Sequence, residues 1–139
     1  LQVPVAGEPA RLVRQLLEGK TLALVTDAGT PGISDPGAVL VRLAVEAGIG
    51  ITPVPGPAAA ITLLSVSGLD THAFVFEGFL PIKSGRKRRV LESLAREKRT
   101  LIFYESPHRL EKTLALLLEV LTNEGVGTMI RADTSPPRY

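Results

Sequence analysis

Four stretches of the chain carry bare backbone or side chains suited to chemistry. The first is Thr26-Asp27-Ala28-Gly29-Thr30-Pro31-Gly32-Ile33-Ser34-Asp35-Pro36-Gly37. Its glycines leave main-chain N–H and C=O groups open, and its prolines stiffen the turns between them. Backbone groups presented in this way can bind a polar, roughly flat small molecule. Asp27 or Asp35 adds a carboxylate able to accept from a ribose hydroxyl or attract a cationic centre. Asp35 is placed to cap the following helix, with Pro36 at its first position, which leaves Asp27 the freer ligand group. The second stretch, Pro55-Gly56-Pro57, opens onto Ala58 and Ala59. Small residues at a helix start permit close approach to free N–H groups, although ordinary packing against a sheet also uses them.

The third stretch is basic: Lys83, Gly85, Arg86, Lys87, Arg88 and Arg89. It reads as a loop, with Val90, Leu91, Leu94 and Ala95 continuing as a helix. Such a run is either a solvated face or a contact to a phosphate backbone. The fourth, Tyr104-Glu105-Ser106-Pro107-His108-Arg109, puts a phenol, a carboxylate, an imidazole and a guanidinium at one strand end. Ser106 as a cap and Pro107 as a first helical residue explain those two positions. Turn formation calls for none of Tyr104, Glu105, His108 or Arg109.

Several chemistries are excluded by what is missing. No phosphate loop of the Gly-x-x-x-x-Gly-Lys-Ser/Thr kind is present, and no Gly-x-Gly-x-x-Gly turn follows a strand. His72 and His108 are the two histidines, and there is no Cys, so no His-rich or thiolate metal site is expected. Ser34 and Ser67 lack the setting of a hydrolase nucleophile. No apolar run approaches the roughly 20 residues that cross a bilayer, so no membrane partner is expected. The lack of Cys fits a reducing compartment, and a cytoplasmic location is expected. With 45% hydrophobic residues the 139-residue chain can bury an aliphatic core, and its formal charge of +2 does not by itself argue for nucleic acid.

The elements that must position these groups follow from periodicity. Ala10 to Glu18 reads as a helix, with Pro9 before it, Leu12, Leu16 and Leu17 on one face and Gly19 after it. Thr21 to Val25, apolar without alternation, reads as a strand covered on both faces. A helix runs from Ala38 to Ala47, stopped by Gly48, and Ile49 to Val54 reads as a second strand. Ala58 to Leu64 is helical, and Ser67-Gly68-Leu69-Asp70 marks a domain boundary. Phe74 to Phe79 is a strand, Thr100 to Tyr104 another, and the last helix has the stripe Leu110, Leu114, Leu117, Leu118 and Leu121. Helices alternating with short apolar strands give an α/β architecture with largely parallel pairing.

The motifs Asp27 to Gly37, Val54-Pro-Gly-Pro-Ala-Ala-Ala-Ile61, Phe76-Glu-Gly-Phe-Leu-Pro81 and Leu101-Ile-Phe-Tyr-Glu-Ser-Pro-His-Arg-Leu110, in this order, resemble the ribosomal RNA small-subunit methyltransferase I family. That family consists of 16S rRNA cytidine 2′-O-methyltransferases within the tetrapyrrole methylase superfamily. The resemblance covers about Leu12 to Val120. It implies two α/β domains with S-adenosylmethionine in the cleft between them, and a homodimer acting on 16S rRNA or the small ribosomal subunit. Residues 1–69 then correspond to the C-terminal part of the first domain, with the cofactor loops. Residues 70–139 correspond to the N-terminal part of the second, on the substrate side.

By motif position the resemblance assigns cofactor binding to Gly29, Thr30, Pro31, Gly32, Ile33, Ala58, Ala59 and Tyr104, and the bare loops themselves add Asp27, Pro55, Gly56 and Pro57 to the expected cofactor site. Thr30 stands where many superfamily members carry Asp, and Ala58 where this family usually has Ser. RNA contact is expected of Lys83, Arg86, Lys87, Arg88, Arg89 and Arg109. Glu105 is expected to be the general base, with His108 second. Both domains are expected to be incomplete: the family's first strand would precede Leu1, and Asn123 onward matches nothing in the pattern. Two other functions fit the same residues, namely carbon methylation of a tetrapyrrole and a non-catalytic fragment with a residual RNA-binding surface.

Overall fold

The computed structural model describes residues 7–121, so the N-terminal connection at Leu1 and the unmatched stretch from Asn123 lie outside the described residues. Two compact units divide the chain, Leu1–Ala58 and Ala59–Tyr139. In the first, helix α1 (Glu8–Leu17) carries Pro9 in its opening turn, where a missing N–H costs nothing. It packs on α2 (Ala38–Glu46). Leu12 of α1 and Leu40 and Ala44 of α2 are the buried apolar residues of these two helices.

The strands expected at Thr21–Val25 and Ile49–Val54 are absent: neither segment joins a ladder among the described residues. A β-strand is a pairing, and an apolar run supplies only one side of it. Burial agrees, since Leu22 and Leu24 are half-buried while Thr21, Ala23 and Val25 are exposed, an alternation in place of two covered faces. The expected cap of α2 is also replaced. The helix starts after Gly37, whose φ is 123°, and no side chain caps it. That conformation selects glycine, and a Cβ there would stand 2.7 Å from Leu24 Cδ2, so the leucine side chain would also have to move. This left-handed turn separates Asp35 from the first helical N–H groups, and Asp35 Oδ2 instead accepts a hydrogen bond from the Thr26 hydroxyl at 2.9 Å.

The second unit is a layered α/β/α arrangement. Strands β1 (Phe74–Phe79) and β2 (Thr100–Tyr104) pair in parallel through the crossover helix α4 (Ser84–Leu94), as the alternation of elements predicts. The register shifts between Phe76 and Gly78. The pleat of β2 then sorts its side chains. Leu101 and Phe103 pack with Leu80, Leu91, Leu117, Val120 and Leu121, on the side of α4 and the last helix α5 (Leu110–Leu121). Ile102 and Tyr104 pack with Ala60 and Leu64 of α3 (Ala59–Val66). The sequence assigns α3 to the first domain, whereas here it belongs to the second unit.

Three local expectations are revised in this unit. The basic stretch is not a loop: α4 begins at Ser84 and takes Arg86 to Arg89 into its first turns. Turning Lys87 inward on a helical face is what a loop reading could not anticipate. A short 3₁₀ turn, Pro107–Arg109, leads into α5, and Ser106 makes no side-chain cap to it. Within α5, Thr113, Leu117, Val120 and Leu121 are buried and Leu118 is 52% exposed, so the inward stripe is rotated from the all-leucine one expected.

Candidate functional site

The first glycine-proline loop presents exposed Asp27, Gly29, Thr30 and Ile33, with Pro31 and Gly32 half-buried. Ile33 N–H donates to the Thr30 carbonyl at 3.2 Å, closing a turn, and Ser34 holds a φ of 57°. A non-glycine residue in that left-handed region is uncommon and marks a loop held by its surroundings. The Thr26–Asp35 hydrogen bond ties the two ends of the loop together. In the second loop Pro55, Gly56 and Pro57 are exposed and Ala58 is half-buried. Open space lies where a Cβ would stand at Gly29 and at Gly56. Both loops therefore keep accessible backbone, the property that their composition predicts.

The strand end behaves differently from the sequence expectation, which treats Tyr104 through Arg109 as one cluster. Alternation sends Tyr104 and Glu105 to opposite sides of the sheet. The Tyr104 hydroxyl accepts the Ala60 N–H at 3.2 Å, satisfying a donor in the first turn of α3. Its ring meets Phe76 edge-on with centroids 5.0 Å apart, and Phe79 at 5.5 Å. Tyr104→Phe keeps the ring contacts and orphans that N–H. It is expected to lower stability by about 1 kcal/mol, read by urea denaturation. An unchanged midpoint would show that this hydrogen bond contributes nothing.

Glu105 turns the other way, toward α4 and α5. Its side chain is 6% exposed and that of Lys87 8%. One carboxylate oxygen accepts from Lys87 Nζ at 3.1 Å and from the Thr113 hydroxyl at 2.7 Å. The other accepts from the Ser106 N–H at 2.8 Å and pairs with Arg109 Nη2 at 2.6 Å. Lys87 Nζ also donates to Thr113 Oγ1 at 2.6 Å. Burial pushes the Glu105 carboxyl up, but the hydrogen bonds from Thr113, Ser106 and Lys87 outweigh it and hold the group below the ordinary carboxylate value. His108 is exposed and joins none of this. Thr113 is the member that sequence reasoning missed. Its signal was a lone hydroxyl on an apolar helical stripe, four residues before Leu117.

The expected RNA-contacting cations separate into classes. Lys83, Arg86 and Arg89 are exposed and pair with no carboxylate among the described residues. Arg88 is pinned to Glu119 at 2.7 Å, with Glu92 at 4.0 Å. Lys87 is buried against Glu105, which removes it from the surface set because an occupied, desolvated ammonium cannot meet a phosphate. Arg109 is paired yet 30% exposed. Among the described residues no three His, Cys, Asp or Glu side chains could together hold a metal ion, and no helix is long and apolar enough to cross a membrane.

Comparison with known proteins gives these features a setting. The chain is 52% identical over 121 residues to the ribosomal RNA small subunit methyltransferase I of Xylella fastidiosa, a match covering 87% of this chain and 44% of that protein. It is 54% identical over 110 residues to the protein of the same name from Escherichia coli O157:H7, covering 79% of this chain and 38% of the relative. With the Synechocystis protein of that name it shares 50% identity over 125 residues, 90% of this chain and 45% of the relative. The chain thus spans less than half the length of these curated relatives. The family model for tetrapyrrole (corrin/porphyrin) methylases matches residues 7–132. The glycine-proline loops and the parallel βαβ unit therefore belong to a known line of proteins: this chain is a member of the tetrapyrrole (corrin/porphyrin) methylase family.

Proposed function

We propose that the protein is part of a cytoplasmic, homodimeric methyltransferase that uses S-adenosylmethionine to methylate the ribose 2′-hydroxyl of a cytidine in 16S ribosomal RNA. Identity of about half to proteins named for small-subunit RNA methylation carries this reading. Lys83, Arg86 and Arg89 of the α4 segment, exposed and paired with no carboxylate among the described residues, favour a polyanionic acceptor. The residues present fit the cofactor. Exposed Asp27 offers a carboxylate to a cationic or hydroxylated ligand, and the open glycines at 29 and 56 expose backbone donors and acceptors. Gly29, Thr30, Pro31, Gly32 and Ile33, then Pro55, Gly56, Pro57, Ala58 and Ala59, would hold it with Asp27, and Tyr104 would border it. When bound, S-adenosylmethionine supplies a methyl group on a cationic sulfur.

The chain's own contribution is to hold the acceptor in line and to take its proton. A base needs a lone pair free to meet the hydroxyl. Glu105 has its oxygens engaged by four donors, so in this reading the base is His108, whose imidazole is exposed. Arg109 contacts a phosphate. His108→Ala is expected to lower turnover about 100-fold with S-adenosylmethionine affinity unchanged; full turnover would remove it from the role. The broader reading is tested by calorimetry with S-adenosylmethionine and by label transfer to 16S rRNA against a porphyrinogen. Label on the porphyrinogen would move the substrate to a tetrapyrrole carbon. Absence of both binding and label would leave a non-catalytic chain.

A further inference from the structure

Lys87 and Thr113 are the buried polar residues among those described, and both serve one carboxylate, that of Glu105. Around them the core is aliphatic: Leu80, Leu91, Leu117, Val120 and Leu121. Apolar residues of matching volume would hold that space as well or better, because a buried ion pair returns little net stability. What such a pair does supply is a defined position for the groups it joins. Here it joins three elements, α4 through Lys87, the turn after β2 through Glu105 and Ser106, and α5 through Thr113. At its outer edge sits Arg109, gripped by the second Glu105 oxygen and still 30% exposed.

We propose that Glu105 is a positioning residue: locked from within by Lys87 and Thr113, it fixes the Arg109 guanidinium at the surface so that its remaining donors meet a phosphate of the RNA acceptor. The assignment of that phosphate rests on the function proposed above. The guanidinium suits the task, since its N–H donors lie in one rigid plane and a carboxylate on one edge fixes the orientation of the rest. Four donors around two oxygens leave Glu105 as a holder of charge and not a taker of protons. The lock also explains why a threonine stands on the apolar stripe of α5: its hydroxyl accepts from Lys87 and donates to Glu105.

Two measurements test this. The first is amide exchange in the full chain for Glu105→Gln and for the milder Thr113→Val. Both should speed exchange at Ser106 and Arg109 at least about 10-fold relative to Ile102 in β2, whose ladder the lock does not bear. Uniform acceleration, or none, would overturn the positioning role whatever the substrate. The second is binding of a single-stranded 16S rRNA fragment. Glu105→Gln should weaken it to the same degree as Arg109→Gln and flatten the salt dependence by about 0.7, the value of one phosphate contact. The double variant should be no worse than either single one. Additive losses, or lost turnover with binding and salt slope intact, would contradict the proposal, the latter returning Glu105 to proton transfer. If the wild-type chain binds no RNA, the functional reading falls by itself, and the exchange result still decides whether Glu105 holds Arg109.

Discussion

Lys87→Ala is expected to destabilise the protein by about 3–5 kcal/mol, a large share of the 5–15 kcal/mol that holds an ordinary domain together. The cause is the charge left behind. With the ammonium gone, Glu105 keeps a side chain only 6% exposed and loses its buried counter-ion, leaving the partly exposed Arg109 guanidinium as its one remaining cationic partner among the described residues. The same principle gives a contrasting result for removal of the whole group. Lys87→Met, Glu105→Leu and Thr113→Val together empty the site of buried charge while roughly conserving volume, and should recover most of the loss. Urea denaturation of the single and triple variants checks both. Equal destabilisation would mean that packing, not the loss of the buried counter-ion, sets the cost.

Acid gives an independent reading of the same site. The Glu105 carboxyl lies below its ordinary value of 4.5 in the folded protein. A depressed folded value means that the ionised group stabilises the fold at every pH above the unfolded value. That contribution fades as pH falls below about 4.5 and is gone beneath the folded value. Removing Lys87 takes away one of the interactions that favour ionisation while burial still opposes it. The acid sensitivity of Lys87→Ala should accordingly be shallower than that of wild type as pH falls below about 4.5.

What the sequence made legible divides along physical lines. Strands β1 and β2 and helix α5 were readable because each supplies its own periodicity, and the pair β1 and β2 finds its partner within the same unit. Thr21–Val25 and Ile49–Val54 have comparable apolar content but join no ladder among the described residues, and pairing is what composition cannot state. The glycine-proline loops were readable as accessible backbone. Gly37 was not readable as the true start of α2, because its role depends on Leu24 across the loop. At the strand end, the types of Tyr104, Glu105 and Arg109 announced chemistry. Their separation by the pleat, and the burial of Lys87 on a helix read as a loop, arise only from tertiary packing.

That sorting of cations yields the second large expected effect. Changing Lys83, Arg86 and Arg89 together to Gln should weaken binding of a single-stranded 16S rRNA fragment about 100-fold at 0.1 M salt. These three side chains are exposed and unpaired among the described residues, so each can displace a condensed counter-ion from the nucleic acid. Three contacts at about 0.7 each lower the logarithmic salt slope by about 2, and over the decade from 1 M to 0.1 M that difference amounts to about 100-fold. Arg88→Gln should cost less than the about fivefold share of each of these three, about twofold at most, because contact with RNA would first have to break its pairing with Glu119 and Glu92. Lys87→Met should leave the slope nearer to wild type than the triple variant does, since a buried ammonium releases no counter-ion. Titrations at several salt concentrations separate these cases. A triple variant with an unaltered slope would return this face of α4 to plain solvated surface, and an Arg88 effect as large as the others would show that its pairing with Glu119 yields to RNA.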